Sequence, residues 1–159
     1  MIQAITESSF TAYINTEANR IDTSVNSSHI RYLVKFTNDL DGSVQYAYST
    51  IHLVYDRYTK LNFNYNATPD VYTGDTKLIP SGYYKYEVYE VSWTGAVAIS
   101  AGNAPVTEDD VLPIGSTHGV VQGLVAIGKL NMTDKAGTEQ VQYTQRITPD
   151  TDNYIWYGQ

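Results

Sequence analysis

Cysteine is absent from the 159 residues. That excludes disulfide staples, zinc thiolate centres, iron–sulfur clusters and a cysteine nucleophile, and it leaves the redox compartment open. Basic residues are few, ten Lys and Arg against seventeen Asp and Glu. The resulting formal charge of −7 repels phosphates unless the cations gather on one face; they are dispersed along the chain, so no nucleic acid partner is expected. Long hydrophobic runs are missing too. The most apolar window, Val120 to Leu130, is broken by Gly123 and Gly128 and is too short to span a bilayer. The opening MIQAITESSF has no basic residue ahead of an apolar run, so a soluble chain without a cleaved leader or a membrane partner is expected. Phenylalanine is scarce, three against fifteen tyrosines. This bias suits pleated surfaces and interfaces where one end of a ring stays wet. A chain of this length can bury roughly 70% of its unfolded surface around one core without metal or disulfide help.

What is present is alternation. From Tyr84 the side chains divide into Tyr84, Tyr86, Val88 and Glu90 on one face and Lys85, Glu87, Tyr89, Val91 and Trp93 on the other, a period of two. The preceding Leu78, Pro80 and Gly82 make a turn, and a tyrosine two residues past that glycine matches the corner of immunoglobulin-like sandwiches, where a hydroxyl bonds back to turn backbone. This stretch is expected to be the central strand. His29 to Thr37 alternates in the same way, with Ile30, Tyr32, Val34 and Phe36 on one face. The turn Asn38-Asp39-Leu40-Asp41-Gly42 then joins it to Val44, Tyr46 and Tyr48 as a β-hairpin. Thr59 to Tyr65 places Leu61 and Phe63 inward. Val120 to Leu130 reads as a strand in which Gly123 and Gly128 mark bulges or close backbone approaches. Glu139 to Ile147 and Asn153 to Tyr157 complete about eight strands by pattern. No stretch shows a 3.6 period. The fold class is therefore all-β, an antiparallel sandwich, Ig-like or jelly-roll-like. Residues 1–28 read as an N-terminal arm or edge strand, with Phe10, Ala12 and Ile14 as the pairing patch, and 29–159 as a single sandwich domain with a long exposed loop around 95–119.

Motifs that could carry chemistry have better structural explanations. Gly123 to Leu130 has the glycine and lysine spacing of a phosphate loop, but leucine stands where a hydroxyl must hold magnesium, and the stretch lies inside a strand. Asp39-Leu40-Asp41-Gly42 opens like a calcium loop but lacks the closing glutamate. His29, His52 and His118 stand apart, with no pair at metal spacing. No Gly-x-Ser-x-Gly elbow presents a serine. Glu108, Asp109 and Asp110 read as a solvated run. No catalytic residue, cofactor or metal site is expected, and the chain is read as non-enzymatic.

Three stretches taken together, VKFTNDLDGSV (Val34 to Val44), Arg57-Tyr58-Thr59-Lys60 and SGYYKYEVYE (Ser81 to Glu90), resemble small virion structural proteins of tailed bacteriophages that infect Bacteroidetes-type hosts. The resemblance covers residues 30–145 and rests on strand-and-turn texture. It implies an auxiliary capsid component (decoration, cement or head-fibre-base) or, alternatively, a neck or tail ring or connector protein. Its partners would be other virion proteins in a homo-oligomeric or lattice-bound state, and its location the virion, after assembly in the bacterial host cytoplasm. It transfers no active-site residues. The polar segments 1–28 and 95–119 are expected to be mobile alone and ordered by neighbours, with Phe10, Tyr13, Trp93 and Trp156 as interface anchors, because large aromatics carry interface energy. The competing class is a carbohydrate-binding sandwich, which would require Trp93, Tyr89 and Tyr83 to form an exposed platform.

Overall fold

The structure, a computed structural model, describes residues 1–135. The strands expected at Glu139 to Ile147 and Asn153 to Tyr157, and the anchor Trp156, lie outside the described residues.

Nine strands form among the described residues: β1 (Ile2–Ile5), β2 (Phe10–Ile14), β3 (Ile30–Asn38), β4 (Val44–Tyr48), β5 (Ile51–Val54), β6 (Thr59–Tyr65), β7 (Asp75–Thr76), β8 (Gly82–Ser92) and β9 (Val120–Thr133). They make an all-β sandwich. The first sheet has the order β1-β9-β8-β3-β4, and the second has β2-β6-β5 with β7 beside β6. Both sheets are mixed rather than purely antiparallel, because β1 runs parallel to β9 and β7 parallel to β6.

The central strand is β8, third of five in its sheet, as its pattern requires. Tyr84 and Val88 face the second sheet, while Val91 and Trp93 face the other way. At the corner, the Tyr84 hydroxyl donates to the Pro80 carbonyl at 2.7 Å, and its ring is buried between the sheets. The Ile79–Pro80 peptide is cis. In β9 the pairing with β8 slips by one residue at Val125 and again at Gln122, so Gly123, with φ 146°, sits inside the bulged stretch. Gly128 lies directly under the Tyr86 ring: a Cβ there would stand 2.4 Å from the tyrosine oxygen. The two glycines therefore serve the two purposes expected of them.

Between the sheets lies one core, built on Phe10, Ala12 and Ile14 of β2, Leu61 and Phe63 of β6, and Ile30, Tyr32, Val34 and Phe36 of β3. Phe10, Phe36 and Phe63 pack with ring centroids 5.3 to 6.1 Å apart. Residues 1–28 thus take the edge-strand alternative rather than the arm, with Phe10 to Ile14 pairing along β6. They supply edge strands to both sheets, and the carboxylate of Glu90, wholly buried, accepts the backbone N–H groups of Ile21 and Asp22 at 2.9 and 2.7 Å.

A second core covers part of the opposite face of the first sheet, and it corrects the expectation of an exposed loop for residues 97–105, while Val111 and Ile114 further along stay fully exposed. Val97, Ile99 and Ala104 from that loop pack on Leu33, Tyr48, Val91 and Trp93. The Tyr48 hydroxyl donates to the Pro105 carbonyl at 2.8 Å. Glu108 is gripped by Lys35 and by the Tyr46 hydroxyl. The acidic run is not simply solvated: Asp110 accepts N–H groups of Val106 and Thr107 at 2.7 and 3.1 Å. The loop closes on itself through Gly95 N–H to the Ser116 carbonyl and Gly119 N–H to the Asn103 carbonyl, both 2.8 Å. The apolar surface that a partner was expected to provide is supplied by the chain's own central sheet.

Candidate interaction surface

The 95–119 loop covers the outer face of the first sheet over β3, β4 and the end of β8, leaving Tyr83, Leu124 and Ile127 exposed on its β8–β9 side, and the outer face of the second sheet is open across its strands. The registers place Thr11, Asn62 and Ile51 in one row across it and Tyr13, Lys60 and Leu53 in the next. The β5–β6 turn adds Tyr55 and Tyr58. Tyr13 meets Tyr58 edge-to-face at 5.4 Å, and Tyr58 lies 4.9 Å from Tyr55. All three rings are exposed, Tyr13 to 60%, as are Ile51, Leu53 and Val54. The face arises from simple alternation: inward Ala12, Ile14, Leu61 and Phe63 build the core, so Tyr13, Lys60 and Asn62 must point out. A shallow concavity of 400 Å³ lined by Val54, Tyr55, Asp56, Arg57 and Tyr58 adjoins it. Contiguous exposed apolar groups of this kind mark places where proteins meet something else.

The sequence-based anchors separate on this map. Tyr13 belongs to the open face. Phe10 and Trp93 do not reach a surface, being 7% and 0% exposed. They anchor the chain's own two cores, which corrects their assignment as interface residues. The aromatic platform that would have favoured glycan binding is likewise not formed by Trp93, Tyr89 and Tyr83, since Trp93 is buried, Tyr89 packs on the second core and only Tyr83 is well exposed. Ile51, Leu53, Val54 and Tyr55 were not singled out from sequence, although IHLVY is a run of strong strand formers between recognised strands. Their exposure follows from which sheet β5 joins, and local pattern does not carry that.

Titratable groups elsewhere serve the fold. His52 lies against Tyr32 with ring centroids 5.3 Å apart, and burial, aided by the nearby Arg31 charge, pushes its pKa down to about 4. Its Nε2 is buried with no hydrogen-bond partner. Burial lifts the Tyr32 hydroxyl to about 12, and that group also reaches Glu17 at 3.3 Å. Burial and the Glu108 hydrogen bond raise Tyr46 to about 12. For Glu108, burial opposes ionisation, but the hydrogen bonds from Lys35 and Tyr46 outweigh it and hold the carboxyl below its usual range. Two open clefts, of 270 and 350 Å³, flank the Ile79–Pro80 corner; the first is lined mainly by core-edge residues such as Phe36, Leu78 and Tyr84. Among the described residues, no three His, Asp or Glu side chains converge as a metal site, and no helix is long and apolar enough to cross a membrane. Gly123 to Leu130 is strand backbone, and Asp39 to Gly42 is a hairpin turn in which the Gly42 N–H donates to the Asn38 carbonyl at 3.0 Å.

No protein-family model matches this chain, and the searches of curated proteins and of solved structures found no match.

Proposed function

We propose that this chain is a non-enzymatic structural protein of a bacteriophage virion, an auxiliary capsid component that decorates or cements the shell or seats a head fibre. The observation that carries this reading is the open face of the second sheet, where Tyr13, Ile51, Leu53, Tyr55 and Tyr58 are exposed together. A surface of rigid aromatic and aliphatic side chains with a few polar neighbours suits attachment to other proteins. The resemblance of Val34 to Val44, Arg57 to Lys60 and Ser81 to Glu90 to tailed-phage virion proteins supports the same reading. Its partners are other virion proteins and further copies of itself, and its place is the virion, reached from the host cytoplasm. A neck or tail ring position in the same particle uses the same surface. Mass spectrometry of purified virions, followed by microscopy at subnanometre detail, tests the proposal: the protein is present in fixed stoichiometry with the β2-β6-β5 face against a neighbour. Particles free of the protein overturn it.

One observation favours a second reading. The Tyr13, Tyr58 and Tyr55 cluster beside the concavity at Asp56 and Arg57 could stack a sugar ring between polar groups. A glycan array probed with wild type and Tyr58→Ala separates the readings, since a sugar site shows saturable binding that the substitution abolishes.

A further inference from the structure

The edge of the second sheet is less protected than its length suggests. β5 ends the sheet order, and residues 49–55, Ser-Thr-Ile-His-Leu-Val-Tyr, contain no charge, proline or glycine. Exposed edges are normally blunted by such residues because their unpaired N–H and C=O groups invite another strand. The Tyr55 N–H donates to the Tyr58 carbonyl at 2.9 Å, which sets the phase of the antiparallel pair with β6. Counting back by the alternation of hydrogen-bonded and non-bonded positions, Leu53 bonds inward opposite Lys60, while His52 and Val54 turn their N–H and C=O groups outward. No hydrogen bond among the described residues reaches these outward groups.

We propose that β5 is a homotypic docking edge: two copies of this chain pair their β5 strands antiparallel about a two-fold axis through Leu53, joining their second sheets into one. This deepens the assembly reading above and rests on it. The register follows from the strand itself. The outward groups of His52 meet those of Val54 of the partner subunit, and the reverse, so both free positions are satisfied at once. On the exposed face, Leu53 lies opposite the partner's Leu53, and Ile51 lies opposite the partner's Tyr55, a β-branched and aromatic pair of the kind that stabilises cross-strand contacts. A sequence matched to itself in this way is what an isologous contact requires.

Charge permits the same occupant. Two chains of formal charge −7 repel overall, and residues 49–55 present no charge that would add to that repulsion. Just beyond them, Asp56 of the partner subunit arrives opposite Thr50.

The absence of cysteine makes the test direct. Leu53→Cys places two thiols opposite each other in a non-hydrogen-bonded antiparallel pair, the closest cross-strand geometry, so mild oxidation of the full chain should give a covalent dimer. Ile51→Cys, offset from its own copy, should give none, and mixing it with Tyr55→Cys should restore the cross-link. Light scattering of wild type should rise with concentration toward twice the monomer's 17.7 kDa, and Leu53→Lys should hold it at the monomer mass with an unchanged far-ultraviolet spectrum. A monomer at all concentrations, a dimer that Leu53→Cys fails to cross-link, or equal cross-linking by Ile51→Cys alone overturns the proposal. Should Leu53→Lys fold poorly, the cysteine pair decides. None of these outcomes bears on whether virions contain the protein, so the assembly reading stands or falls separately.

Discussion

Tyr84 shows how one atom can define a corner. Its hydroxyl holds the Pro80 carbonyl while its ring fills the space between sheets, so Tyr84→Phe removes a hydrogen bond and leaves the packing. Chemical denaturation should show a loss of about 0.5 to 1.5 kcal/mol, the usual net worth of such a bond, whereas Tyr86→Phe, whose hydroxyl has no such carbonyl, should be near neutral. His52 offers a pH signature. Its pKa near 4 lies below the ordinary unfolded value of about 6.5, so the unfolded chain binds the proton first and stability falls as pH drops from 6.5 toward 4. The difference between neutral pH and pH below both values is on the order of 3 kcal/mol. Above pH 6.5 it is fully present. His52→Phe keeps a ring against Tyr32 and removes the unpartnered Nε2, so its stability-pH profile should be flatter across that window; an unchanged profile would show that His52 is not the group responsible.

Elements that look loose by composition are held by single polar anchors. Glu90 lies on the central strand and receives two backbone N–H groups from the segment after β2, so Glu90→Gln turns one acceptor into a donor facing a donor. A cost of about 1 to 3 kcal/mol is expected, with faster hydrogen exchange at Ile21 and Asp22 ahead of the rest of the chain. The loop at 95–119 is clamped by Tyr48 to Pro105 and by Lys35 and Tyr46 to Glu108. Its backbone amides, such as Gly95 and Gly119, should be protected from exchange in dilute monomer, because the surface that orders the loop is internal. Rapid exchange throughout the loop would restore the idea that neighbours order it.

At the scale of the whole molecule, two cores share one sheet, and the open face lies on the other. Core and surface aromatics should therefore behave oppositely. Phe10→Ala removes a ring packed on Phe36 and Phe63 and should lower stability by about 3 to 5 kcal/mol. Tyr13→Ala, on the outward face of the same strand, should stay within about 0.5 kcal/mol and act only on binding. Thermal melting beside a binding assay on particles distinguishes the two, and a large stability loss at Tyr13 would place it in the fold rather than on an interaction surface.

The period of two in β3, β6 and β8, the Asp-Gly hairpin and the turn before Tyr84 are local matters, decided by pleat geometry and by the dihedral freedom of a few residues, so they were legible in order along the chain. The two glycines of β9 were legible for the same reason. Partnership was not. Whether Phe10 and Trp93 face a neighbour or their own chain depends on which strands lie above them, and the residues that cover Trp93, such as Ala104 and Gly119, are irregular backbone with no period to read. The same holds for Ile51 and Leu53: their alternation belongs to any strand, but their exposure follows from β5 ending a sheet whose outer face nothing in the described chain crosses. Alternation is a property of neighbours in sequence, while burial is a property of neighbours in space, and long-range pairing such as β1 with β9 joins residues that share no local signal.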